Sequence, residues 1–384
     1  MKKQRIEKLQ TQMKKEGIDA AFICANPNMF YFYGRTLTGY LYIPQEGMPV
    51  LFVKMPVGIE SAVYYKSPKQ LPALMQEQGI CLHGQVWMDM GNASAQEYLL
   101  FSTLFPAVRW WDGSDVFRSI RAVKDEEEIG IFRETCRVHT DIYRKIKKLY
   151  RPGMTDRAFS AAIEHESRLH GHQGLFRTYG HRMQAHMGLV LAGENGAVPP
   201  AFDYALGGAG DAGSYPLGDT GAVMQEGCAV MVDVTNNLFG YISDMSRTFS
   251  VGSLPDEAYA AHEVSLEIHR KMMKIAKPGI KCCDLYFAAL EIAENSGFGA
   301  RYMGREQKAK FLGHGVGIEV NELPVFAPKM ETVLEKNMVF ALEPKFIVDG
   351  VGAVGIENTY LLTEKGLENL TNCPEEIIDL CAGQ

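Results

Sequence analysis

Residues 228–250 read CAVMVDVTNNLFGYISDMSRTFS. Cys228–Val232 is a continuous apolar run that ends in Asp233, and a second strand-like run ends in Asp244. The stretch Asn236–Gly240 reads as a hairpin turn that brings the two aspartates side by side. A carboxylate that follows a buried run must be neutralised, because an unpaired charge is costly to bury. Two adjacent carboxylates repel unless they are protonated or bridged by a cation. A metal ion is the simplest resolution.

Two further stretches carry groups of the same kind. In 311–324, FLGHGVGIEVNELP, His314 sits between glycines, which allow the backbone to approach a ligand closely. In 337–366, NMVFALEPKFIVDGVGAVGIENTYLLTEKG, Glu343 ends the apolar run Met338–Leu342 and Glu357 follows Val354–Ile356. Asp233, Asp244, His314, Glu343 and Glu357 make an oxygen-rich donor set. It suits hard divalent ions, Mn²⁺ first, with Fe²⁺, Co²⁺ or Zn²⁺ as alternatives. Bridging carboxylates hold two ions about 3.5–4 Å apart, with a hydroxide between them to attack a polarised carbonyl.

The order of these residues resembles the pita-bread-fold metallopeptidases: Asp, a second Asp, His in a GHG turn, Glu before Pro, and a final Glu. That group includes methionine aminopeptidase, aminopeptidase P and Xaa-Pro dipeptidase (prolidase), with creatinase as a relative lacking the metals. Tyr241, Ser243, Arg247-Thr248-Phe249 and the step Ala192-Gly193-Glu194-Asn195-Gly196 fit the same pattern. The resemblance covers about 123–384 and implies an α+β pita-bread catalytic domain there. The first 122 residues, with the junction Ile120-Arg121-Ala122-Val123-Lys124, are similar to a smaller α/β creatinase/prolidase N-terminal domain. The resemblance implies two divalent metal ions bridged by Asp244 and Glu357, with Asp233 completing one shell and His314 holding the other ion. It makes Glu343 both ligand and proton relay. It also implies a homodimer in which the N-terminal domain of one subunit caps its partner's site, so that Tyr31 or Tyr33 would line a pocket.

The departures fall in the substrate shell. Family peptidases carry a histidine after the Asn step, where this chain reads Val198-Pro199-Pro200, and another before an acidic residue, where it reads Asn321-Glu322. The usual Arg-Ile-Glu-Asp is Gly355-Ile356-Glu357-Asn358, and Asp233 is followed by Val234-Thr235. The histidine-rich stretch 164–186 offers replacements, with His181 and His186 better placed than His165, His170 and His172. The glycine-rich segment 205–221 lacks a phosphate-loop ending and reads as a substrate-covering loop, a dimer contact or a passive excursion.

At 384 residues the chain is long enough for two domains, and 46% hydrophobic with 22% charged residues is globular composition. A formal net charge of −7 argues against nucleic acid or an anionic membrane as partner. No apolar stretch is long enough to span a bilayer, and the basic N-terminus reads as an amphipathic helix with Ile6, Leu9 and Met13 on one stripe. Eight cysteines without a CxxC pair read as reduced thiols in a cytoplasmic protein, with Cys282-Cys283 as a redox alternative. Helices are expected over 155–170, 255–277 and 282–296, and strands over 187–192, 228–234, 238–243, 338–343 and 354–362. The leading functional expectation is a dinuclear-metal hydrolase cleaving an amide bond in a peptide or other small substrate. The rivals are a lyase or non-peptide hydrolase acting on a small zwitterion, and a non-catalytic binding module.

Overall fold

The first helix forms where its apolar stripe requires it. α1 (Lys3–Glu16) buries Ile6, Leu9 and Met13 and stops at Gly17, whose φ of 69° turns the chain out of the helix. The computed structural model describes residues 1–55, 58–180, 182–184 and 186–383. Its internal contacts divide the chain into Met1–Arg121 with Tyr179–His181, and Ala122–Thr178 with Arg182–Gln384.

In the first unit α1 leads into β1 (Ala20–Ile23), α2 (Asn26–Tyr33), β2 (Gly39–Pro44), β3 (Val50–Val53) and β4 (Val63–Tyr64). α3 (Leu71–Glu77), β5 (Gly84–Met88), α4 (Ala95–Leu104), β6 (Val108–Asp112) and α5 (Ser114–Ala122) follow. The strands form one sheet in the order β4-β3-β2-β1-β5-β6, with β1, β5 and β6 parallel and the β2/β3 hairpin antiparallel. The aromatic run at 30–33 lies on α2. Tyr31 is fully buried, with the Arg5 guanidinium 4.6 Å above its ring, so it is a core residue of this unit rather than part of an open pocket wall.

The second unit opens with α6 (Glu126–Leu149), whose Asp125 cap and Glu128 exchange hydrogen bonds of 2.9 and 3.0 Å. Then come α7 (Asp156–Leu169), β7 (Gly188–Ala192), β8 (Ala229–Val234), β9 (Asn236–Leu238), β10 (Tyr241–Ser243) and β11 (Ser246–Ser250). α8 (Asp256–Ile275) and α9 (Cys282–Asn295) precede β12 (Gly313–Gly315), β13 (Glu322–Phe326), β14 (Val339–Leu342) and β15 (Lys345–Val348). β16 (Gly352–Gly355), β17 (Asn358–Thr363), β18 (Gly366–Asn369) and β19 (Ile378–Asp379) complete it. Two sheets, β19-β11-β8-β7 and β13-β12-β14-β17-β18, are accompanied by two ribbons: β9/β10, inserted between β8 and β11, and β15/β16, inserted between β14 and β17. Apolar faces of α8 and α9, including Ile268, Met272, Leu285 and Ala289, pack with Phe340, Leu342, Phe346 and Val354.

Two strand expectations change. The hairpin after Asp233 is tighter than the sequence suggested: it turns at Phe239-Gly240, both at positive φ (54° and 85°), and Asn236–Leu238 is already strand. The run 354–362 is broken at Ile356-Glu357, because β16 pairs with β15 while β17 pairs with β14. That break places Glu357 between two sheets. Among the described residues no helix is long and apolar enough to cross a membrane. All eight cysteines are free thiols.

Candidate metal centre

Strand register assembles the site. β11 sets Ser246 opposite Asp233 of β8, and on its other side Ser246 bridges to Glu357, whose amide donates to the Ser246 carbonyl at 3.1 Å. Asp244 ends the β10 arm; its amide donates to Thr359 Oγ1 at 3.0 Å, and that hydroxyl donates back to the Asp244 carbonyl at 2.7 Å. In the second sheet His314 pairs with Ala341, and the Glu343 amide donates to the Leu312 carbonyl at 2.9 Å. All five candidate ligands therefore meet. Two donor triads share Glu357: Asp244–His314–Glu357 and Asp233–Glu343–Glu357, each with ligand atoms within 4.8 Å of one another.

The triads differ in what balances their charge. Lys345, two residues after Glu343, is completely buried and points its ammonium into the second triad. Its Nζ lies 2.7 Å from Asp233 Oδ2, 2.8 Å from Glu343 Oε2 and 3.3 Å from Glu357 Oε2. Burial opposes its charge, but the three carboxylates outweigh burial and raise its pKa well above the ordinary value. Burial likewise pushes Glu343 up, yet Lys345 and the His314 contact at 3.4 Å hold it down at about 2. The first triad has no lysine; its only basic group is the His314 imidazole, which lies 3.4 Å from Glu343 and 4.0 Å from Asp244. Burial and neighbouring Asp233 push Asp244 up to about 7, and burial and Asp244 push Glu357 well up. Glu357 Oε1 is buried without a hydrogen-bond partner among the described residues. An unpartnered carboxylate oxygen facing a second carboxylate and an imidazole is a donor set that fits one divalent cation.

The centre opens on a solvent-accessible pocket. Its walls are mainly apolar and aromatic, with Phe176, Leu189, Tyr204, Leu217 and Phe311 beside Asp233, Asp244, His314, Glu343 and Glu357. Leu206, Tyr215 and Leu217 bring the glycine-rich segment into this wall. Asn195 ties that segment down, donating to the Gly218 carbonyl at 2.9 Å and accepting from the Ala209 amide at 2.8 Å. Of the proposed histidine replacements, His186 lines the pocket and packs against Tyr215 at 5.4 Å; His181 lies outside the described residues. His170 is bound to Lys145 at 2.7 Å, and His172 is buried and accepts from the Gly174 amide. Asn321 lines the pocket, whereas Pro200 packs under Gly207. The loop bearing Asn321 is fixed by Glu322, which accepts from the Ile318 amide at 3.0 Å and pairs with buried Lys124 at 3.3 Å.

Residues 130–364 match metallopeptidase family M24, and residues 5–123 match the creatinase/prolidase N-terminal domain. The chain belongs to metallopeptidase family M24. It is 27% identical to the Xaa-Pro dipeptidase of Pyrococcus furiosus, over 98% of this chain and 100% of that protein. A putative dipeptidase of Bacillus subtilis is also 27% identical, over 98% of this chain and 99% of that one. The prolidase of Pyrococcus horikoshii superposes with a TM-score of 0.80 at 25% identity, covering 98% of this chain and 100% of that one. The α+β architecture is thus the pita-bread fold preceded by a creatinase-type domain.

The M24 centre of this chain is braced from behind by groups that sequence reading passed over. Tyr143 on α6 accepts from the Val234 amide at 3.1 Å and shares its one hydroxyl proton between the carbonyls of Met245 and Val232, clamping β8 to the segment that carries Asp244. His139 Nδ1 lies 2.9 Å from Ser243 Oγ; His269 Nδ1 lies 2.9 Å from the Tyr360 hydroxyl and its Nε2 3.2 Å from the Ile356 carbonyl. Burial pushes both imidazoles down to about 3. In the unfolded chain each takes up a proton near pH 6.5. Their contribution to stability is therefore complete above about pH 6.5 and is lost as pH falls toward 3, at about 1.4 kcal/mol per pH unit for each. The difference in unfolding free energy between the parent and His269→Gln is expected to shrink by about 2 kcal/mol between pH 6.5 and pH 5. Urea unfolding measures it, and a difference that does not change with pH contradicts a neutral buried imidazole.

Lys345 is the functional residue that the sequence reading missed. Its signal was present: a lysine opening the apolar run Lys345–Val348, every residue of which is buried, had to find carboxylates.

Proposed function

We propose that this chain is a metal-dependent hydrolase that cleaves an amide C–N bond in a small peptide or peptide-like substrate. The observation that carries the reading is the Asp244–His314–Glu357 triad, with its unpartnered buried Glu357 oxygen, opening on an apolar pocket. A divalent ion there supplies Lewis acidity to the scissile carbonyl and lowers the pKa of water. Glu343 lines the same pocket and moves the proton from the attacking water to the leaving amine. The apolar walls take the side chains on either side of the bond and exclude bulk water. Asp203 and the centre's carboxylates favour a substrate that presents an amino group to the pocket.

The names of the M24 relatives support an Xaa-Pro substrate, and Mn²⁺ is the ion we assign. We also assign an N-terminal domain at 1–122, a catalytic domain at 123–384, and a cytoplasmic homodimer. The test is a panel of Xaa-Pro dipeptides and longer peptides with N-terminal Xaa-Pro, incubated with Mn²⁺-loaded protein and assayed for released amine. Turnover of one or both kinds of peptide is the expected result; no turnover of any peptide overturns the peptidase reading. Asn321, standing in the pocket wall in place of a histidine, favours a second reading in which the substrate is a small zwitterion. Product release from betaine-like or guanidino compounds, with peptides inert, selects it.

A further inference from the structure

Three buried carboxylates (Asp244, Glu343 and Glu357) and the partly buried Asp233 face one lysine and one imidazole in this centre. We propose that Lys345 is a permanent cation of the Asp233–Glu343–Glu357 triad, so that the centre binds one divalent ion beside a built-in ammonium. The inference rests on the metal reading of the neighbouring triad but makes a separate statement, about the number of ions.

The geometry is exclusive. A divalent ion in the second triad would sit about 2.0–2.2 Å from carboxylate oxygens of all three residues. Lys345 Nζ already lies 2.7, 2.8 and 3.3 Å from one oxygen of each, which is the separation of a charge-assisted hydrogen bond and fills the same volume. An ion and an ammonium at that point would repel at close range in a water-poor site. The ammonium's three protons match the three oxygens, so the triad leaves no direction unused.

Lys345 is also held where it is. Its carbonyl accepts from the Met303 amide at 2.9 Å, and the preceding Pro344 carbonyl accepts from Ser265 Oγ at 2.6 Å. In the β15/β16 ribbon it pairs with Gly355, where a Cβ would come within 2.5 Å of the Pro344 carbonyl. Only a residue without a side chain fits there. The start of β15 is thus clamped on both sides, and the fully buried side chain has the carboxylates as its counter-charge. The two Glu343 oxygens then face different partners: Oε2 faces Lys345 at 2.8 Å, and Oε1 faces the His314 imidazole at 3.4 Å. Lys345 therefore acts as a positioning residue, orienting Glu343 and neutralising the half of the centre that the ion does not reach.

The experiment counts ions. Parent protein and Lys345→Ala are saturated with Mn²⁺, freed of excess by gel filtration, and assayed by elemental analysis and by calorimetric titration. Lys345→Ala is expected to hold one more ion per chain than the parent, and its melting temperature to rise more steeply with added Mn²⁺. Equal ion counts in the two proteins, or two ions in the parent, overturn the inference. An empty parent with one ion in the variant upholds the lysine inference while sinking the metal reading of the first triad; no ion in either sinks both. Should Lys345→Ala fail to fold, electron paramagnetic resonance of the Mn²⁺-saturated parent decides. The expected spectrum is that of an isolated Mn²⁺, and a spin-coupled pair overturns the inference.

Discussion

Glu343→Gln is expected to lower kcat by roughly 10²–10⁴-fold on any substrate the enzyme turns over, the range for loss of a positioned acid–base group. KM should stay within a few-fold. Gln keeps the shape of the side chain and an oxygen for Lys345 or His314, but it cannot accept a proton at neutral pH. Glu343 lies outside the Asp244–His314–Glu357 triad, so the ion count should be unchanged. Elemental analysis and the melting temperature separate a chemical loss from a structural one. A variant that keeps its metal and its fold and loses less than about tenfold in kcat would remove Glu343 from the proton path. His314→Ala, by contrast, should lose the metal itself.

Different parts of the molecule were legible in the sequence for different reasons. α1 and the helices at 156–169, 256–275 and 282–295 follow from local periodicity and turn chemistry, which sequence carries directly. The five candidate ligands were legible because a carboxylate at the end of a buried strand is anomalous unless something neutralises it. Their convergence was not, because it depends on register: Ser246 is flanked by Asp233 and Glu357, 124 positions apart, and no local pattern announces that pairing. The broken strand at Ile356-Glu357 was missed for the same reason. Its apolar residues are continuous, and only the switch of partner from β15 to β14 splits it. Lys345 shows a third kind of miss. It belongs to no ligand pattern and drew no reading of its own, yet its neighbours Phe346, Ile347 and Val348 are all buried and leave no route to solvent. The pocket walls, drawn from segments between Phe176 and Glu357, lay beyond any reading of single stretches.

Arg247→Met is expected to destabilise the protein by about 3–5 kcal/mol, a large fraction of the roughly 5–15 kcal/mol that holds a domain together. Arg247 is 1% exposed, and burial lowers its pKa, yet it lies within 4 Å of no carboxylate among the described residues. It is satisfied instead by oxygens. Nε donates to the Pro374 carbonyl at 2.8 Å; one terminal nitrogen donates to the carbonyls of Ser246 and Glu357 at 2.8 Å each; the other donates to Asn358 Oδ1 at 2.8 Å and to the carbonyls of Thr371 and Cys373. Loss of the guanidinium falls unevenly on these acceptors. Ser246 keeps the Glu357 amide, Asn358 keeps the Thr371 hydroxyl and Pro374 is exposed to water, so the cost concentrates on Glu357, Thr371 and Cys373. Each buried carbonyl left without a donor costs about 1–3 kcal/mol, less what water recovers. Arg247→Lys should lie between Met and the parent, because an ammonium keeps the charge but cannot span all six oxygens. Urea unfolding of the three proteins tests the order, and a loss below about 1 kcal/mol for Met would contradict it. The same fork ties the segment 371–374 to the backbone of Glu357, the residue common to both triads. Mn²⁺ affinity should therefore fall together with stability in Arg247→Met, although Arg247 touches no metal-facing atom.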